Sequence, residues 1–511
     1  MKTKNPKIIF LLILFFSIFC FIKKSQAATL YMPDQCGNLQ ACFSQMQSGD
    51  TLIIRDGTYT GNANTINNAV PPIGALSAYT IIKAEHDGGV FFDGENSNDM
   101  FYVNSPGNTK YWQFEGLIWG RTPGINVFSN ASYIKFLHCG AFDAGQGNNM
   151  NFGAAANGAS YVLFENCYAW GTGRYKFIAG SSDHIVFRNC VARPDAINAG
   201  GEPSAVFVAY SANYVAFQNC IAIDADQTDY WTNIGDRQGA FFVPTTSSSA
   251  SNISFDRCMG LNVKLGGIEV ASNNPTSNIY FRNVALWNCT DLGGWLAALR
   301  NPANIINCTI GNSSAGANYC DGENLTVKNT IIYNNTISNG YIWSFMNGDA
   351  DEDYNAYYGN NTIAIYGQIM GSHSITSVNP MVNSLKYLPR IESGSALKNA
   401  GENGSDIGAN TTTLLGTPGT LYGEEGYDID TGVSMWPFPN EDLIKEKMAV
   451  YNNGGVNGAR GFAASGNGLY GGPITLTSYI WEYLGNPCPL DICNYGSDTL
   501  YPSAPSGLSV R

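Results

Sequence analysis

Charged side chains gather in the stretches that follow four recurring cysteines. Asp143 follows Cys139, Arg174 and Lys176 follow Cys167, Arg193, Asp195 and Glu202 follow Cys190, and Asp224, Asp226 and Asp229 follow Cys220. Carboxylates are the oxygen donors that a hard divalent cation selects. A lysine stripped of its proton is a base, and an arginine beside it can hold an anion. Trp170, Tyr175, Tyr210, Tyr230 and Trp231 are interleaved with these charges. One charged loop residue by itself is most often solvated surface, and one aromatic residue most often packing. The grouping over successive stretches is what singles these out, and whether they meet depends on the element that stacks one stretch on the next.

That element is a repeat. Its copies are Tyr133-Ile-Lys-Phe-Leu-His-Cys139, Tyr161-Val-Leu-Phe-Glu-Asn-Cys167, His184-Ile-Val-Phe-Arg-Asn-Cys190, Tyr214-Val-Ala-Phe-Gln-Asn-Cys220 and Asn252-Ile-Ser-Phe-Asp-Arg-Cys258. Weaker copies follow at Ile279-Tyr-Phe-Arg-Asn283, Ile305-Ile-Asn-Cys308 and Leu325-Thr-Val-Lys-Asn329. An apolar residue, any residue, then Phe is a period-2 strand, and the Asn suits a tight turn before the next one. A strand so short cannot bury its apolar face alone, whereas equivalent strands stacked about 4.8 Å apart can. Like side chains then lie over like, so Phe136, Phe164, Phe187, Phe217 and Phe255 are predicted to form an internal stack beside ladders of thiols and asparagines. The fold expected is all-β: a right-handed parallel β-helix over residues 28–410 with a small C-terminal extension. The ladder cysteines read as buried packing. No Cys-x-x-Cys or paired His spacing suggests zinc.

Composition sets the compartment and the partners. Three lysines precede the apolar run Ile8 to Ile22, and Ser25-Gln26-Ala27 offers a cleavage site, so residues 1–27 read as a signal peptide and the product as secreted or cell-surface. No later stretch reaches the roughly twenty apolar residues that a membrane span requires. Without the five lysines of that segment, 22 basic side chains face 40 acidic ones, a balance of −18. Nucleic acid is a poor partner for such a chain. Cys36 with Cys42 and Cys488 with Cys493 are expected to form small terminal disulfides in an oxidising compartment.

The entry and closing segments carry a resemblance. Ser48-Gly-Asp-Thr-Leu-Ile-Ile-Arg-Asp-Gly-Thr-Tyr59, Tyr79-Thr-Ile-Ile-Lys-Ala84 and Gly89-Val-Phe-Phe-Asp-Gly94 resemble the entry coils of the pectate-lyase-like superfamily of exported β-helix proteins. Val378-Asn-Pro380, Tyr387-Leu-Pro389, Ser393-Gly-Ser-Ala-Leu-Lys-Asn-Ala-Gly401 and Asp406-Ile-Gly-Ala409 resemble their closing coils. The resemblance implies a polysaccharide ligand, acidic in character, and a single-chain protein. Within the superfamily, lyases take the proton beside a uronate carboxylate and expel the neighbouring sugar oxygen. That chemistry uses a cation, often calcium, on the carboxylate and an unprotonated basic side chain. On this reading Lys176 is the base, Arg174 or Arg193 holds substrate, and Asp195, Glu202, Asp224 and Asp226 are calcium ligands. Trp170, Tyr175, Tyr230 and Trp231 would stack on sugar rings. The chain lacks the Trp-Ile-Asp-His and Arg-x-Pro-x-x-Arg phrases of the principal pectate lyases, so no catalytic residue transfers by motif. The alternatives are a noncatalytic carbohydrate-binding or adhesion module and a structural envelope protein.

Residues 411–494 differ in composition and include Met435-Trp-Pro-Phe-Pro-Asn440, a predicted helix over 441–450 and the apolar run 476–484. They read as a small extension on the last coils, and residues 495–511 as a linker whose final phrase resembles the opening of a fibronectin type III module.

Overall fold

The computed structural model describes residues 27–66, 70–103, 108–127, 131–145, 149–155, 158–195, 205–225, 239–245, 248–264, 266–271, 274–289, 296–315, 318–320, 323–346, 350–381, 388–453, 455–484 and 488–492. The expected signal peptide and tail lie outside them. No helix among them is long and apolar enough to cross a membrane.

Three long parallel sheets of 13, 12 and 11 strands build the body. Each coil visits them in turn. Ser160–Glu165 lies in the first sheet, Tyr168–Gly171 in the second and Tyr175–Gly180 in the third, and Asp183–Arg188 returns to the first one rung on. This is a parallel β-helix, as the repeat predicts. The register places Phe114, Phe136, Phe164, Phe187, Phe217, Phe255 and Phe281 on successive rungs. Their ring centroids are 4.4–5.3 Å apart. A second stack, Phe152, Phe177 and Phe207, runs inside the third sheet at 5.1 Å spacing. The two meet edge to face, as at Phe177 and Phe187, so the core is held by aromatic quadrupoles as well as by area.

Two residues join first sheet to second in the coils of the repeat, from His138-Cys139 to Asn329-Thr330. The leading one is left-handed, with φ of 55° at Asn166, 52° at Asn189 and 55° at Asn219. Asparagine tolerates that region better than other side chains with a Cβ. The predicted amide ladder is present where Asn189 Nδ2 donates to Asn166 Oδ1 at 3.0 Å. The residue that follows is a buried free cysteine at Cys139, Cys167, Cys190, Cys220, Cys258 and Cys308, and Val284 takes its place in one coil. Each thiol finds a carbonyl in the coil below; Cys167 Sγ donates to Phe136 O and Cys190 Sγ to Phe164 O, both at 3.4 Å. The Cys36–Cys42 disulfide is formed beside helix α1, Leu39–Phe43, which adds its buried face to the first end of the core. Cys488 is disulfide-bonded too, and its expected partner Cys493 lies outside the described residues.

The second sheet is apolar on both faces. Phe136 and its equivalents fill its inside, and Ile118, Tyr168, Val191, Ile221, Met259 and Leu261 stand on its outside, all buried. The C-terminal segment covers them. It contributes Trp436, Phe438, helix α2 (Glu441–Ala449), Phe462 and helix α3 (Leu476–Tyr483) to the same cluster. The extension therefore does not cap the last coils, as its position in the sequence suggested. It runs along the flank, from Tyr483 beside Asn288 back to Leu443 and Lys447 above Gly88, where a Cβ would come within 2.8 Å of both.

Removing a ring from the internal stack leaves a cavity that neither neighbour can fill. Phe217→Ala is expected to cost about 3–5 kcal/mol. Tyr214→Ala, on the outer surface two rows away, is expected to cost under about 1 kcal/mol. Guanidinium unfolding of the two variants checks the contrast, and equal losses would contradict the internal stack as the source of stability.

Candidate functional site

At the ends of the second-sheet strands Asp143, Arg193, Asp195 and Asp224 come together, against the extension rather than in open solvent. Asp195, fully buried, accepts from Gly171 N at 3.0 Å through one oxygen. Its other oxygen takes Arg193 Nε at 2.9 Å and Arg460 Nη2 at 3.0 Å. Arg193 is equally buried, and donates to Met448 O at 3.0 Å and Gly458 O at 2.9 Å, carbonyls of the extension that each also accept a backbone N–H. Asp224 accepts from Asn262 Nδ2 and Tyr479 OH, and Asp143 from Thr172 N and Tyr451 OH, at 2.8–3.0 Å. Burial and the adjacent Asp143 carboxylate push the Tyr451 phenol far above its ordinary range, so it stays a donor.

Lys176 turns into the corner between the second and third strands of its coil. Its ammonium donates to Gly171 O at 2.6 Å and Asn151 Oδ1 at 3.1 Å, and 1 % of the residue is exposed. Desolvation lowers it to about 8, opposed by the Asp195 and Asp143 charges. Arg174 lies over the Tyr175 ring at 4.7 Å. Tyr175 packs into a small apolar cluster with Ile178, Val208 and Phe242. Glu202, Asp226, Tyr230 and Trp231 lie outside the described residues. Asp195 as placed does not fit calcium: two guanidinium groups already neutralise it, and a divalent cation there would meet them at contact distance. A separate exposed trio, Asp56, Glu85 and His86, brings its donor atoms within 4.8 Å of one another, but Arg55 pairs with Glu85 and His86 with Asp56.

Beside this network opens a cleft of about 590 Å³ between the second sheet and the end of α2. One wall is aromatic: Phe91 stacks on Phe142 at 5.4 Å and Phe142 on Trp170 at 4.9 Å. Gly120 makes this possible, because a Cβ there would lie 2.2 Å from the Phe142 ring. Arg121, Lys447, Asp143 and Tyr451 line the same cavity. Arg121 is held by Asp93, with Nε to Oδ1 at 2.9 Å, yet keeps 45 % of its side chain exposed. Trp170 is thus the predicted sugar-binding residue that the structure sets at a cavity. Phe142 was legible in principle, three residues after its cysteine as Trp170 is after its own. Arg460, Tyr451 and Lys447 were not, since nothing in the sequence says where the extension docks.

The architecture is a parallel β-helix of three long sheets. No family model matches the chain, and none of the curated proteins matches it in sequence. Among solved structures it is similar to pectate lyase Pel9A (17 % identity, 75 % of this chain and 96 % of that one, TM-score 0.41). It is also similar to alginate lyase AlyF-OU02 in complex with G6 (10 %, 69 % and 88 %, 0.41) and to the A-module of the Azotobacter vinelandii mannuronan C-5 epimerase AlgE4 (14 %, 66 % and 94 %, 0.38).

The lowered Lys176 leaves a thermodynamic mark. Between about pH 8 and its unfolded value the unfolded chain binds the extra proton, so stability rises with pH across that window. The gain attributable to Lys176 is on the order of 3 kcal/mol, read as the difference between wild type and Lys176→Met in unfolding free energy at pH 7.5 and pH 10.5. A difference that does not change with pH would mean that the ammonium is not desolvated.

Proposed function

We propose that the chain is a polysaccharide-binding β-helix protein whose sugar contact is the cleft between the second sheet and α2. One observation carries the reading: the stacked rings of Phe91, Phe142 and Trp170 and the charged side chains of Arg121, Lys447 and Asp143 line one cavity large enough for one or two sugar rings. The apolar faces of a pyranose pack on aromatic rings while its hydroxyls need donors and acceptors in fixed places, which is the general composition of small-ligand sites. Arg121 and Lys447 are the groups available to a sugar carboxylate, each beside a carboxylate of its own in Asp93 and Glu446. With a chain so acidic overall, an anionic polymer would be held by these local cations against the general field.

β-Elimination on a uronate polymer is a second reading, with Lys176 as base and Arg174 or Arg193 as its partner. The observation in its favour is the ammonium held near 8, where a useful fraction is unprotonated at neutral pH. In the described arrangement that nitrogen is enclosed by Gly171 and Asn151, so elimination would require the corner to open. Binding needs no such step.

Two measurements separate the readings. Affinity electrophoresis through pectate, alginate and neutral polymers is expected to retard the wild type, and Phe142→Ala or Lys447→Ala to weaken the retardation about tenfold, equal to roughly 1.4 kcal/mol. Unaltered mobility of both variants would remove the cleft from the account. Absorbance at the unsaturated-uronate band, with calcium and with chelator, is expected to stay flat; a calcium-dependent rise abolished by Lys176→Ala would establish elimination instead.

A further inference from the structure

The outer face of the first sheet holds a groove that plays no part in the cleft above. Its outward row steps from Leu163 and Val186 to Ala216 and Ser254, then to Tyr280, in continuous register. Leu163 and Val186 are covered by Leu421 of the extension. Over Ala216 and Ser254 the same segment passes without a side chain to fill the space. A cavity of about 370 Å³ remains, with Tyr422, Tyr427 and Leu415 overhanging it.

Its two long sides are polar rails. On one, Asn252 and Asn278 occupy left-handed positions, with φ of 55° each, and Asn278 Nδ2 donates to Asn252 Oδ1 at 2.9 Å. On the other, Gln218, Asp256 and Arg282 lie on successive rungs. Arg282 stands 3.5 Å from Asp256 and stacks on Tyr280 at 4.0 Å, which fixes the guanidinium plane and keeps 42 % of the side chain open to the groove. Arg257, the other cation of the lining, is spent on Asp430 and Thr413. With Arg257 paired to Asp430, Asp256 and Asp428 remain against Arg282, so the groove has no excess positive charge with which to select an anion. A small-residue floor, tyrosine at the end and overhead, and amide, carboxylate and guanidinium groups along both edges suit a ring with hydroxyls around its rim.

We propose that this groove is a second saccharide site, separate from the cleft on the second sheet, and that it takes a neutral pyranose unit, with Tyr280 and Tyr422 against the ring and Asp256, Arg282 and Asn278 on its hydroxyls. It does not depend on the cleft reading, because no residue is shared between the two linings. A chain with both sites holds a polysaccharide at two places on adjoining faces of one rigid solenoid, and avidity follows without any new contact.

The full-length mature protein is titrated by calorimetry with neutral gluco-, manno-, xylo- and galacto-hexasaccharides. At least one is expected to bind, and Ser254→Leu, which continues the Leu163 and Val186 row into the groove, is expected to weaken that binding at least tenfold while leaving the melting temperature within a few degrees. Tyr280→Ala, which opens the end wall, should weaken it by a similar factor. Phe142→Ala should leave it unchanged. Binding of none of the four sugars, or binding indifferent to both groove variants, overturns the second site; loss with Phe142→Ala alone assigns the sugar to the cleft and also overturns it.

Discussion

A sheet that is apolar on both faces has to be covered twice, and much of this molecule follows from that requirement. The second sheet turns Ala and Trp side chains inward to the stacked phenylalanines and large aliphatic and aromatic ones outward. Parallel strands buried on both sides read as continuous apolar runs, and that is how Tyr168-Ala-Trp-Gly171 and Ile221-Ala-Ile223 read here. The interior is covered by the coil itself. The exterior is covered by a segment about two hundred residues further along the chain, which is why the extension lies lengthwise on the solenoid.

Covering a sheet with irregular chain brings polar backbone into an apolar seam. Buried arginines of the solenoid add donors to that backbone. Arg193 reaches out of the solenoid to the carbonyls of Met448 and Gly458, and Arg188 does the same for Thr417 and Tyr427 at 3.0 Å. Asp195 and Glu165 neutralise the two guanidinium groups. Leaving one partner of such a pair alone in the interior is far more costly than the pair is stabilising, so these residues tie extension and solenoid into one unit. Charges that resemble a catalytic cluster in the sequence are, to this extent, the fastening of one part of the chain to another.

The surfaces left for ligands lie where the cover is imperfect. One is the cleft at the end of α2, where Phe91 and Phe142 emerge from the seam; the other is the groove where the outward row becomes small at Ala216 and Ser254. Both have aromatic walls with polar edges, and both are lined by the solenoid and the extension together. In neither does a ladder ring offer its full face, because each is stacked on the next rung, and a ligand meets ring edges and the terminal faces.

The β-helix, its internal Phe stack, its free thiols and its asparagine turns were readable from residues alone, because a short strand repeated at near-constant spacing can bury its apolar face only against copies of itself. The same register set Phe142, Trp170 and Arg193 on consecutive rungs. What the repeat does not encode is the partner of each outward side chain. Lys176 lies one residue from Tyr175 and Phe177, and whether its ammonium meets solvent or Gly171 O depends on how the strand bends at a corner, a matter of a few degrees of backbone. Whether Arg193 and Asp195 face a ligand or the chain's own extension depends on contacts some 265 residues apart. Local sequence specifies the rung because its forces act between neighbours in a regular stack; only the folded chain decides the seam, where the neighbours are irregular and distant.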